Sequence, residues 1–114
     1  MESNTDLSTN LPHAPDAEAA FIVATIENPT RFRQIVLEQG IDSDLFHIPA
    51  HAGLMGLITR RFRESQPIDP SSLKEDIRKR KPVGLTLKKL NDVLGQEYDE
   101  NAWEGYISAL RNTR

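Results

Sequence analysis

The chain has 114 residues, with 14 Lys+Arg, 17 Asp+Glu, three His and no Cys. That length holds one domain with a modest core, and the lack of Cys excludes a disulfide framework, a thiolate zinc site and a Cys nucleophile. No apolar run approaches a membrane span, the first residues lack the basic and apolar regions of a signal peptide, and no Gly-rich phosphate-cradling loop is present.

The net charge of −3 hides a segregation. Residues 1–18 carry four acids and no Lys or Arg, whereas residues 60–89 carry ten basic and four acidic side chains. A basic island in an acidic protein can meet phosphate or an acidic surface. It can equally be a solvated helix face.

Met1–Asn10 is polar and reads as a disordered lead-in, so a single ordered domain is expected over 11–114. Asp16 is placed to cap a first helix running from Ala17 to Ile26, which is apolar nearly all round and therefore central. It stops before Asn28-Pro29, where Asn28 caps and Pro29 opens a second helix that ends at Gly40. Asp42–Phe46 forms a short turn with Leu45 and Phe46 dipping inward. Pro49 opens a third helix whose stripe is His51, Leu54, Met55, Ile58 and Phe62. Gly53 and Gly56 lie inside it, each about 1 kcal/mol worse than Ala, which predicts close approach of another helix.

Asp69-Pro70 repeats the cap and opens a fourth helix with Leu73 and Ile77 inward. Its acids Glu75 and Asp76 precede Arg78-Lys79-Arg80-Lys81, an order that complements the helix dipole and predicts the pairs Glu75–Lys79 and Asp76–Arg80. Pro82 and Gly84 break the chain. Thr86 caps a fifth helix with Leu87, Leu90 and Leu94 inward, ended by Gly95. Asp99 caps a sixth with Trp103, Tyr106, Ile107 and Leu110 on one stripe. No segment alternates with period two, so the fold class is all-α, a compact bundle of about six short helices. The last helix reaches Asn112-Thr113-Arg114 without a Gly cap or a following Pro; either it frays there or the natural chain continues.

Three stretches together resemble the N-terminal domain of DnaB-type replicative DNA helicases. Leu11-Pro12-His13, then Asp16–Ile22 and Asn28-Pro29, is similar to the family's opening. Phe46, Pro49-Ala50-His51, Leu54-Met55, Gln66-Pro67-Ile68-Asp69 and Leu73 match its middle pattern without a gap, and Asn101–Tyr106 to Leu110-Arg111 is similar to its closing segment. The chain departs from the family in having Val23 in place of a usual Gly, Gly53 and Gly56 in place of larger residues, and Pro82-Val83-Gly84 in place of a paired-Gly segment.

The resemblance implies a small all-α collar domain without catalytic residues, metal or cofactor, acting in DNA replication in the cytoplasm. It implies contact with further copies of itself and with primase or a helicase loader. In the family the last helix continues into a helical hairpin, and a RecA-like ATPase domain, absent from this chain, supplies the motor. The expectation is thus a protein-interaction and oligomerisation domain, with Gly53, Gly56, Trp103 and Tyr106 as candidate interface residues. Trp103 and Tyr106 at helical spacing also suit ordinary core positions. The alternative is a helical nucleic-acid-binding module using Arg60, Arg61, Arg63, Arg78, Lys79, Arg80, Lys81, Lys88 and Lys89. Against it stand an acidic balance and, Phe62 apart, the lack of an aromatic side chain among these residues. His47 and His51 are four apart, but Pro49 lies between them and no carboxylate at ligand spacing completes a zinc site; His51 is expected to hydrogen-bond within the bundle.

Overall fold

The computed structural model describes residues 14–112, and the lead-in Met1–Asn10 and the stretch Leu11-Pro12-His13 lie outside them. Six α-helices follow in order: α1 (Ala14–Glu27), α2 (Pro29–Gln39), α3 (Pro49–Arg63), α4 (Pro70–Arg80), α5 (Leu87–Leu94) and α6 (Trp103–Asn112). Two single 3₁₀ turns, Ser43–Leu45 and Glu100–Ala102, precede α3 and α6, and the described residues contain no strand.

Helix α1 is the axis of the bundle. Every residue from Ala17 to Ile26 is buried, and α2, α3, α5 and α6 all pack against it. Five alanines in its length let these neighbours approach closely while keeping helix propensity high. Around it the core gathers Phe21, Phe32 and Phe46, with Phe21 meeting Phe32 edge-on at 5.6 Å between centroids. The helix begins at Ala14, ahead of the expected cap at Asp16. Pro15 fits the first turn, where its missing N–H is not needed, and Asp16 sits there as a charge favoured by the dipole.

The other boundaries follow from local chemistry. Asn28 accepts from Arg31 N–H to start α2, and Gly40 ends it in the left-handed region at φ 66°. Asp42 accepts from Asp44 N–H in the first 3₁₀ turn, which buries Leu45 and Phe46. Asp69 accepts from Ser72 N–H at 2.8 Å to start α4. Thr86 accepts from Lys89 N–H to start α5, where Leu90 and Val93 are buried and Leu87 and Leu94 half-buried. Gly84 (φ 78°) turns the chain between α4 and α5; a Cβ there would stand 2.9 Å from that of Pro49. Asp99 caps the 3₁₀ turn, and the α-helical geometry of α6 begins only at Trp103.

Asp69 supplies a pH-dependent part of this fold. The backbone N–H of Ser72 holds its carboxyl below the usual carboxylate range, and Arg61 adds to the effect. A depressed folded pKa means stability present above the unfolded pKa of about 4 and lost as pH falls through the folded value. Glu100, lowered by hydrogen bonds from Arg31 and Asn28, has the same sign. Asp69→Ala is expected to lower stability by about 1 kcal/mol at neutral pH. Urea unfolding at about pH 7 and about pH 3 should show the gap to the parent shrinking on the acid side.

Candidate interaction surface

The two glycines of α3 are not sites of tight helix approach. A Cβ on Gly53 would meet Pro82 and Leu85, of the turn after α4, at 3.5 and 3.6 Å, which is ordinary contact. A Cβ on Gly56 would find only Ser43 at 4.0 Å. What approaches Gly53 is therefore a turn, not a helix. The close approach sensed in the sequence belongs to Gly84 instead.

Tyr106, which its spacing suits to core as well as to an interface, lies in the core. It is 8% exposed, and its hydroxyl accepts from Asp99 N–H at 2.8 Å, tying the 3₁₀ turn to α6. Trp103 is half-buried, packed on the core from the rim. It borders a cleft of about 170 Å³ between the end of α2 and α6, with Gln39, Ile107, Ser108 and Arg111. Arg111 donates to the Gln39 carbonyl there at 2.9 Å, closing the α2 C-terminus. Trp103 is thus the one of the four candidates that joins core packing to an open cleft.

The basic residues divide. Arg61 is structural: it donates from Nε to Asp76 at 2.7 Å and from Nη2 at 3.0 Å, and it also reaches the carbonyls of Pro67 and Ser72. Asp76 consequently pairs across helices with Arg61, replacing the expected pair with Arg80. The geometry is bidentate, the strong form of an Arg–carboxylate pair. The hydrogen bonds to Asp76 raise the Arg61 pKa above its ordinary value. Glu75 keeps the expected exposed pairing with Lys79, at 3.9 Å, and adds Arg78 at 3.6 Å. Arg60 pairs with Glu64 at 3.2 Å within α3. Arg63, Arg80, Lys81, Lys88 and Lys89 are exposed.

The residue that pattern reading missed is Glu18, 1% exposed in the middle of α1. Its carboxylate accepts from His47 N–H at 2.7 Å and Ile48 N–H at 3.3 Å. It also lies 2.8 Å from His51 Nδ1. Ile48, the N-cap of α3, has no side-chain cap of its own, so Glu18 caps that helix from across the bundle. His51 bonds within the bundle, as its place on the α3 stripe predicts. The signal that could have identified Glu18 is a charged residue inside an otherwise apolar helix, which must be paired when buried.

On the opposite rim, Glu100 accepts from Arg31 at 2.6 Å and from Asn28 at 3.0 Å, fastening the joint between α1 and α2 to the turn before α6. A shallow groove of about 610 Å³ runs along Pro29, Arg33, Phe62, Gln66 and Ile68. Among the described residues no cluster of three or more His, Asp or Glu has the geometry of a metal site. No helix among them is long and apolar enough to cross a membrane.

Comparison with protein families matches residues 10–112 to the DnaB-like helicase N terminal domain. Neither curated proteins nor solved structures give a match. The match covers nearly the whole chain, and the contact of Glu18 with His51 joins its opening stretch to its middle one. On that coverage, with an all-α fold to match, the chain belongs to the DnaB-like helicase N-terminal domain family.

Proposed function

We propose that this domain works by protein contact within a replicative DNA helicase in the cytoplasm, assembling a collar with further copies and contacting primase or a helicase loader, without a cofactor or catalytic group of its own. The family match over residues 10–112 carries this reading. The surface supports it at one place: Trp103 and the cleft beside it offer an aromatic anchor with a polar rim, the usual make-up of a binding hot spot.

Sedimentation velocity of the chain alone and with a primase fragment tests it. Self-association or a complex is expected, weakened at least tenfold by Trp103→Ala and unchanged by Tyr106→Phe, which removes only a buried hydroxyl. If the chain neither self-associates nor binds at about 100 µM, the reading is abandoned.

A further inference from the structure

We infer that the turn joining α4 to α5, with Lys81 and Lys88 at its two ends, is a contact surface for the sugar-phosphate backbone of duplex nucleic acid. Residues 77–91 hold six basic side chains and no acid, and all six are exposed. Helices α4 and α5 pack on each other, so the turn brings the last residues of one beside the first of the other. Leu85, buried at the base of the turn, and Gly84, seated against Pro49, hold it in place.

Helix stabilisation explains Arg78, Lys79 and Arg80, which end α4 where the dipole favours cations. It does not explain Lys81, Lys88 or Lys89. Lys81 takes the left-handed conformation at φ 46°, a position that α2 fills with Gly40 at φ 66°. A side chain there is strained where glycine is not. Lys88 is the second residue of α5, where the dipole disfavours a positive charge. Both keep a charge at some loss of stability, and neither has an ion pair among the described residues. Residues that break local rules in this way are expected at functional or strained sites. Lys89 and Arg80 border clefts that also hold Asp16 and Asp92, and Glu64 and Asp76, so they contribute less net field.

The chemistry selects the occupant. A protein partner needs buried aromatic or large apolar anchors. Here the exposed apolar group is Val83 alone, at 91%, beside the half-buried Pro82. Phosphate contacts need only cations on flexible arms. Without an aromatic ring in residues 77–91 there is no platform for stacking bases, so a duplex should bind at least as well as a single strand.

Fluorescence anisotropy of the full chain with a labelled duplex of about 20 base pairs tests this, against a single strand of the same length. With about three phosphate contacts, affinity should fall about fortyfold between roughly 50 and 200 mM NaCl. Lys81→Gln with Lys88→Gln should weaken binding at low salt about tenfold or more and flatten the salt slope by about two contacts. Lys81→Gly should weaken binding while raising the melting temperature, because it relieves the left-handed strain. Arg33→Gln, the same one-charge change as Lys88→Gln alone but on α2, should leave binding intact. The inference is overturned if the parent shows no binding at low salt, if Arg33→Gln weakens binding as much as the lysine pair does, or if polyglutamate of equal charge competes as well as duplex. These outcomes do not bear on self-association or primase binding, so the two proposals fail separately.

Discussion

Glu18→Ala is expected to destabilise the domain by about 3–5 kcal/mol, the loss typical of breaking a buried charged network. The side chain is 1% exposed and accepts from His47 N–H and Ile48 N–H, in the segment leading into α3, with His51 Nδ1 of α3 at 2.8 Å. Alanine removes a partner from all three. For a domain of this size each kcal/mol shifts the melting temperature by about 4–8 °C, so thermal unfolding should move by more than about 12 °C. Against a total stability of about 5–15 kcal/mol, that is a large fraction. Glu18→Gln fills the same space but turns an amide NH₂ toward N–H donors, so it should recover only part of the loss. A Glu18→Ala loss below about 1 kcal/mol would mean that the contact does not cap α3 in any energetic sense.

Arg61→Ala follows at about 2–3 kcal/mol. Its guanidinium spans α3, the connecting loop and α4 through four hydrogen bonds, two of them to Asp76. The pair is partly shielded, with side-chain exposures of 15% and 17%, so solvent screens it less than the pairs made by Arg60 or Lys79. Arg61→Lys keeps the charge and loses the fork, and should recover little. In a double-mutant cycle with Asp76→Ala, the paired loss should be smaller than the sum of the single losses, with a coupling of about 1–2 kcal/mol. Additive losses would show that the carbonyls of Pro67 and Ser72, rather than Asp76, carry the stabilisation. Denaturant midpoints at one pH suffice to separate these outcomes.

Both residues show where pattern reading stops. Arg61 sits in a basic run with Arg60 and Arg63; helical spacing puts it at the edge of the α3 stripe, but nothing in the order of residues names its partner. The answer depends on the angle between α3 and α4, which brings Asp76, fifteen residues on, within 2.7 Å. Within a helix, spacing alone defines the neighbours, so the Glu75–Lys79 pair was legible and the Asp76 pairing was not. Tyr106 makes the same point. Its place on the α6 stripe suits either core or interface, and only the packing of α6 on α1 buries it.

The sequence by itself determined the number and type of elements, because six apolar stripes of helical period are bounded by Asn28, Asp69, Thr86 and Asp99 as caps, Pro29, Pro49 and Pro70 as starts, and Gly40 as a stop. Those signals act over four residues or fewer and are complete in the chain order. It also carried the family likeness, since the matching residues keep their spacing along the chain. Only the tertiary structure decided which charges are spent inside the fold and which remain outside it. Glu18 and Arg61 are hydrogen-bonded by partners 29 to 33 and 15 residues away, while Lys81 and Lys88 have no ion pair among the described residues. Pairing of that kind depends on how helices cross, and burial then makes the pairing obligatory by removing the water that would otherwise solvate the charge.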